Sequence, residues 1–198
     1  KIIDINNLPK SLKQLDLWEC INIIDFTYLS QLNNLEILDL KEINIININN
    51  LHISLCRLYL NYCSNIIDFT RLSELNNLEI LNLNFEKIIN INNLPISLKE
   101  LYMMSCRNII DYIYISELIN LEILDLCNTN INDINNLPKS LKRLYLYSCK
   151  NIIEFTYLSQ LTNLKILNLC NTNINDINNL PKSLNELQIG NCKNIIDF

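Results

Sequence analysis

Residues 121–131 read LEILDLCNTNI, a stretch in which Leu124 and Leu126 alternate with outward side chains as in a short β-strand. The pattern recurs along the chain at spacings that alternate between 23 and 20 residues, which gives a 43-residue period. The repeats begin at Leu12, Leu35, Leu55, Leu78, Leu98, Leu121, Leu141, Leu164 and Leu184. Each strand is too short to bury its own leucines, so the period predicts turns that stack into a parallel sheet over one shared core.

The repeats are of two kinds. Odd-numbered repeats carry cysteine at the ninth position, as at Cys20, whereas the sixth and eighth carry threonine, as at Thr129. The pattern resembles that of the leucine-rich-repeat family, L-x-x-L-x-L-x-x-N/C-x-L, over nearly the whole chain. The odd repeats resemble its cysteine-type variant, and residues 137–141 (LPKSL) resemble its short bacterial-type repeats. The resemblance implies a right-handed, curved α/β solenoid with a parallel β-sheet on its concave face.

We expect a single domain over residues 1–198, with about nine repeats and a partial repeat at each end. In odd repeats the return path predicts a short helix or 3-10 turn on the convex face, with Thr156 as a possible N-cap. In even repeats it predicts extended chain, as over residues 131–138. Neither end shows a capping segment, so we expect either a longer parent protein or end turns that pack against another surface, by self-association for example.

Composition and charge exclude several classes of partner. The net charge of −5 argues against binding to a nucleic-acid backbone, which needs a clustered basic face. No run of 18 apolar residues occurs, so the sequence predicts no membrane span. The absence of alanine and valine, with abundant Asn and Ile, is typical of an AT-rich genome, for which large DNA viruses, some protists and some bacteria are candidates.

The cysteines predict a reducing environment. Five of the eight are 43 residues apart, which is two turns of the stack, so they lie about 10 Å from one another, beyond the reach of a disulfide. We interpret them as reduced, buried side chains. No Asn-x-Ser/Thr glycosylation site occurs. Together these features favour an intracellular, cytoplasmic protein over a secreted one.

The sequence predicts no enzyme, no cofactor and no metal site. Gly190 is the only glycine, so neither a phosphate-binding loop nor a nucleophile elbow can be written. The single histidine, His52, replaces a loop proline. Cys127 and Cys170 share an outward strand position, too far apart to share a metal ion, and redox or ligand contacts by exposed thiols there stay open from the sequence.

The outward strand positions are the better candidates for function, because tyrosine, tryptophan and arginine dominate the energetics of protein interfaces. We therefore predict a protein partner on the concave face. The predicted binding residues are Trp18, Tyr59, Tyr62, Phe85, Tyr102, Met104, Lys142, Arg143, Tyr145 and Tyr147. An alternative is that the tyrosines were copied with the repeat and only stack on their neighbours.

Besides a free-standing interaction module, two other functional classes stay open from the sequence. The first is the substrate-recognition arm of a larger enzyme, such as a ubiquitin ligase, since the LPxSL segments resemble bacterial repeat proteins of that kind. The second is the ectodomain of a secreted or surface receptor. The oligomeric state is not predicted.

Overall fold

The computed structural model describes residues 2–85, 87–109 and 111–195, and within them every repeat contributes one short strand. Each strand begins two residues after the first leucine of its repeat. The strands are β1 (Gln14–Asp16), β2 (Ile37–Asp39), β3 (Arg57–Tyr59), β4 (Ile80–Asn82), β5 (Glu100–Tyr102), β6 (Ile123–Asp125), β7 (Arg143–Tyr145), β8 (Ile166–Asn168) and β9 (Glu186–Gln188). The predicted fold class, a parallel sheet of short stacked strands, is confirmed.

The strands form one parallel sheet in the order of the sequence, from β1 to β9. Equivalent residues are in register, so that Leu101 pairs with Leu124, and Leu124 pairs with Leu144. The middle leucine of every strand from β1 to β8 is buried, whereas Leu187 of β9 is 37% exposed because β9 lies at the edge of the described sheet. The leucines therefore share one continuous core, as predicted.

The return paths alternate as the sequence predicts. The odd repeats contain 3-10 helices at Thr27–Gln31, Thr70–Glu74, Ile113–Glu117 and Thr156–Gln160. The even repeats return without a helix in the residues that the structure describes. None of the described helices combines the length and the apolar character that crossing a bilayer requires.

The predicted N-cap at Thr156 is wrong. Thr156 is the first residue of its 3-10 helix, and no side chain of the capping residue, Phe155, bonds to the backbone. Glu154 takes this role instead, because its Oε1 accepts hydrogen bonds from the backbone N–H groups of Phe155 and Thr156 at 3.0 and 3.2 Å. Asp25 accepts equivalently from the N–H of Thr27 at 2.9 Å. An acid two residues before the helix thus replaces the expected hydroxyl.

Side chains also bond one turn of the stack to the next. Each LPxSL-type segment after the first contains a serine whose hydroxyl donates a hydrogen bond to the backbone of the first leucine one turn earlier. Ser140, for example, donates to the carbonyl of Leu121 at 2.7 Å. Asn163 donates in the same way to the carbonyl of Lys139 at 2.9 Å. Because buried carbonyls need partners, these bonds fix the spacing of successive turns at the bends.

Candidate functional site

The concave face consists of three rows of side chains that run across the sheet. They occupy the third, fifth and seventh positions of each repeat, on the side of the strands opposite the buried leucines. The third row is Gln14, Ile37, Arg57, Ile80, Glu100, Ile123, Arg143, Ile166 and Glu186. The fifth row is Asp16, Asp39, Tyr59, Asn82, Tyr102, Asp125, Tyr145, Asn168 and Gln188. The seventh row is Trp18, Lys41, Asn61, Asn84, Met104, Cys127, Tyr147, Cys170 and Gly190.

A tight turn ends this face in every repeat. In the first repeat, the N–H of Cys20 donates to the carbonyl of Leu17 at 2.9 Å, and Glu19 between them has a φ of 56°. All nine residues at this eighth position have positive φ, and none is glycine. This left-handed conformation costs a non-glycine residue about 1–2 kcal/mol. The sequence did not reveal it, although Asn128 and Asn171 belong to a residue type that tolerates it.

The structure places the predicted aromatic residues in separate groups. Tyr59, Tyr102 and Tyr145 are half-buried in the fifth row on β3, β5 and β7, each two strands from the next. Trp18 is 56% exposed in the first repeat. Tyr147 and Met104 lie in the seventh row, in the same repeats as Tyr145 and Tyr102 respectively.

Two of the predicted aromatic residues lie at the end of the concave face, at the eighth position. The rings of Tyr62 and Phe85 stack with their centroids 4.4 Å apart and their planes at 10°. Both residues are exposed and have positive φ values of 62° and 66°. Their stacking agrees with the alternative that aromatic residues contact one another, and it leaves their outer surface open to a ligand.

Aspartate and asparagine alternate with the tyrosines in the fifth row. Asp125 Oδ1 accepts the backbone N–H of Cys127 at 2.9 Å, and Asn168 Oδ1 accepts that of Cys170 at 2.9 Å. The same bond recurs at Asp16, Asp39 and Asn82. These side chains therefore hold the start of the tight turn, which explains why either an acid or an amide serves at this position.

The predicted pair Lys142 and Arg143 separates into two environments. Lys142 directly precedes β7, and its Nζ forms an ion pair with Glu122 Oε1 at 2.8 Å. Arg143 is exposed in the third row and forms no ion pair with any residue that the structure describes. Of the two, Arg143 is the side chain that is available to a partner.

The sequence interpretation missed charged members of the third row. Arg57 is exposed on β3, and Glu100 is half-buried on β5. Glu100 Oε2 accepts a hydrogen bond from the Tyr102 hydroxyl at 2.7 Å. Burial and this bond raise the pKa of Tyr102 above its ordinary value, so the phenol remains a neutral donor. The alternation of outward charge with isoleucine at this position was the signal that could have identified the row.

The cysteines at the ninth position of the odd repeats form a ladder, in which Cys63, Cys106 and Cys149 are buried and the terminal members Cys20 and Cys192 are half-buried. The Sγ atoms of Cys63 and Cys149 donate to leucine carbonyls of the preceding repeat, at 2.8 and 3.0 Å. No disulfide joins any of the eight cysteines. Cys127 belongs to an outward row, but its short side chain lies buried beside Asp125 and Tyr147, so it is not an exposed redox or ligand contact. Burial raises the pKa of the Cys127 thiol, so it is unreactive.

Other candidate chemistry has a structural explanation. His52 Nδ1 lies 2.9 Å from Ser54 Oγ, and that hydroxyl donates to the Leu35 carbonyl at 2.7 Å. The histidine thus supports a bend between repeats. Over residues 2–85, 87–109 and 111–195, no three His, Cys, Asp or Glu side chains gather as a set of metal ligands.

Two solved structures from Listeria monocytogenes share this architecture. The internalin InlF superposes with a TM-score of 0.65 at 22% identity, over 90% of this chain and 61% of that chain. The functional domain of InlJ, which includes a cysteine ladder, superposes with a TM-score of 0.72 at 20% identity, over 96% of this chain and 46% of that chain.

The present chain therefore spans about half to three-fifths of the length of these neighbours. No protein-family model matches the sequence, and no curated protein is significantly similar to it. The nine parallel strands in register, the buried leucines and the superpositions agree on one architecture. The chain has the leucine-rich-repeat fold.

Proposed function

We propose that the chain is a non-enzymatic interaction module that binds a protein partner on its concave face. The observation that carries this proposal is the set of tyrosines on alternate strands, Tyr59, Tyr102 and Tyr145, which lie on the face opposite the core. Their packing is not needed to bury the leucines. Half-buried tyrosines offer a large apolar surface with few rotatable bonds, which suits protein recognition.

The centre of this surface is expected at β5 to β7. Tyr102, Tyr145 and Tyr147 lie there together with Met104 and the unpaired Arg143. Tyrosine and arginine are enriched among the residues that dominate binding energy. Trp18, Tyr59, Tyr62 and Phe85 extend the same proposed surface toward β1, and Lys142 lies at its edge.

The experiment replaces Tyr102, Tyr145 and Tyr147 by Ala and compares partner capture from the native cell with that of the unmodified protein. The matched control replaces Ile24, Ile67 and Ile153, which are 85–92% exposed and lie outside the three concave rows. Circular dichroism and thermal melting verify that both variants fold. We expect at least a tenfold loss of capture for the tyrosine variant alone. Undiminished capture by that variant would contradict the proposal.

We also propose an intracellular location. Support comes from the half-buried cysteines Cys20, Cys56, Cys170 and Cys192, which form no disulfide. An oxidising compartment would convert such thiols to mixed disulfides or to disulfides between chains. Mass spectrometry of the protein from its native cell, without reduction, is expected to detect these four as free thiols, and mixed disulfides at them would contradict this location.

A further inference from the structure

The third row of the concave face alternates in charge. Arg57, Glu100, Arg143 and Glu186 belong to β3, β5, β7 and β9, and the strand register places them on one line across the sheet. Half-buried isoleucines stand between them at Ile80, Ile123 and Ile166. Since neighbouring strands are about 4.8 Å apart, unlike charges follow one another at about 10 Å. In the described residues, no ion pair joins these four side chains to one another.

The arginines of this row differ from the lysines beside it. Lys99 and Lys142 form ion pairs with glutamates of the preceding strand at 2.7 and 2.8 Å. Arg57 and Arg143 form no hydrogen bond or ion pair through their side chains with any residue of the described ranges. Their guanidinium groups are thus available to carboxylates from outside the chain.

The glutamates of the row are already oriented. Glu100 is held by the Tyr102 hydroxyl, and Glu186 Oε1 accepts from Gln188 Nε2 at 2.7 Å. Each of these carboxylates keeps further lone pairs for a cation. A partner that fits the row must therefore present acid, base, acid and base at the same interval of about 10 Å.

A second copy of this chain meets that requirement by symmetry. A two-fold axis along β6 lays two concave faces together so that β3 faces β9 and β5 faces β7. Arg57 then lies opposite Glu186 of the second copy, and Glu100 lies opposite Arg143 of the second copy. Resting on the concave-face binding proposed above, we propose that the partner of this face is a second copy of the chain, in a two-fold symmetric dimer.

The same rotation predicts the neighbouring contacts. Tyr102 lies opposite Tyr145 of the second copy, and Ile123 lies opposite its own equivalent. Asp125 also meets its own equivalent, which opposes association. Flat faces of about 30 Å by about 16 Å would bury about 1,000 Å² over both copies. Because both faces are concave, the copies approach most closely at the outer pairs of strands and bury less than this area. We therefore expect an interface of the weak class, below about 1,200 Å², and a dimer that forms only at high concentration.

The test is sedimentation velocity of the full chain between about 1 and 200 μM, at low and high salt. We expect a concentration-dependent dimer that weakens with salt. The R57E/R143E variant should raise the dissociation constant at least tenfold, and so should E100R/E186R. The quadruple variant, which exchanges all four charges, should restore it. K10E/K182E changes the net charge by the same amount as R57E/R143E at exposed loop positions, and should leave the dimer intact.

Asp125→Asn gives a test in the opposite direction. Asn82 and Asn168 show that an amide at this position still accepts the backbone N–H two residues on, so the turn is preserved. Removing the like charges at the axis should tighten the dimer about twofold to fivefold. Unchanged affinity in this variant contradicts the placement of the axis.

A monomeric wild-type chain at every concentration, or a quadruple variant that does not regain the dimer, would overturn the proposal. A monomeric chain whose capture of a different protein still depends on Tyr102, Tyr145 and Tyr147 would reject only the second copy as partner. If the chain is monomeric at every concentration and replacing the three tyrosines does not reduce capture either, concave-face binding is rejected as well.

Discussion

Replacement of Leu124 by Ala should remove a large part of the stability of the chain. Leu124 is the middle residue of β6, has no exposed surface and lies in register between Leu101 and Leu144. Truncation of a fully buried leucine removes its transfer free energy and leaves a cavity that neighbouring turns cannot fill, which together cost about 3–5 kcal/mol. A domain is stable by only about 5–15 kcal/mol, so the change is readily measured.

Leu187 provides the matched control. It holds the same position in β9, but it is 37% exposed and pairs with only one described strand, through Leu167. Less surface is lost from the core, and water can enter the space that the truncated side chain leaves. We therefore expect Leu187→Ala to cost about 1–2 kcal/mol.

Urea unfolding at 25 °C, followed by circular dichroism, measures the difference. The midpoint for Leu124→Ala should fall well below that for Leu187→Ala, with similar slopes if unfolding stays cooperative. Replacing both Leu124 and Leu126 by Ala should unfold the chain. Equal losses at Leu124 and Leu187, or a loss below about 1 kcal/mol at Leu124, would refute a core that is continuous from turn to turn.

Three further predictions concern individual side chains. Tyr112 stands where other odd repeats have Phe, and burial raises its pKa to about 12, so Tyr112→Phe should reduce the loss of stability seen between pH 10 and 12 in thermal melts. The sign follows because the unfolded phenol ionises near pH 10 and the folded one later; an unchanged pH profile would contradict it. Thr129→Val removes a 2.8 Å hydrogen bond to the Leu126 carbonyl and should cost about 1 kcal/mol in urea unfolding, whereas no loss would show that the bond is not stabilising. Thiol labelling under native conditions should modify half-buried Cys56 before buried Cys127, and the reverse order would contradict the described burial.

Most of the architecture could be predicted because it depends on period alone. Alternation around Leu124 and Leu126 gives the strand and its buried side, and the spacing of 23 and 20 residues gives the order of the sheet. The different return paths also follow from composition, since Thr156–Gln160 lies in an apolar-periodic segment and residues 131–138 do not. The same pattern recurs in every repeat, so an exception in one repeat does not obscure the assignment.

The features that could not be predicted depend on individual contacts between side chains and the backbone. Glu154 replaces Thr156 as the acceptor at the 3-10 helix because a carboxylate two residues earlier reaches the same N–H groups. Positive φ at Tyr62 is imposed by the turn against the preference of the residue. Cys127 is buried beside Asp125 and Tyr147, a depth that a pattern of inward and outward positions does not encode. Periodicity gives direction, but the depth of a side chain depends on what surrounds it.

The two-turn period also limits which partners can fit the concave face. Odd and even repeats differ, so tyrosine and charge return every second strand, at about 10 Å, whatever the partner. An α-helix presents one face about every 10.5 Å, at every seventh residue, so an unrelated helix would fit only if acid and base alternated at that spacing along it. A second copy has the interval by construction. It also reverses the order of Arg57, Glu100, Arg143 and Glu186, which turns an alternating row into its own complement. The same duplication that builds the core can therefore build the interface.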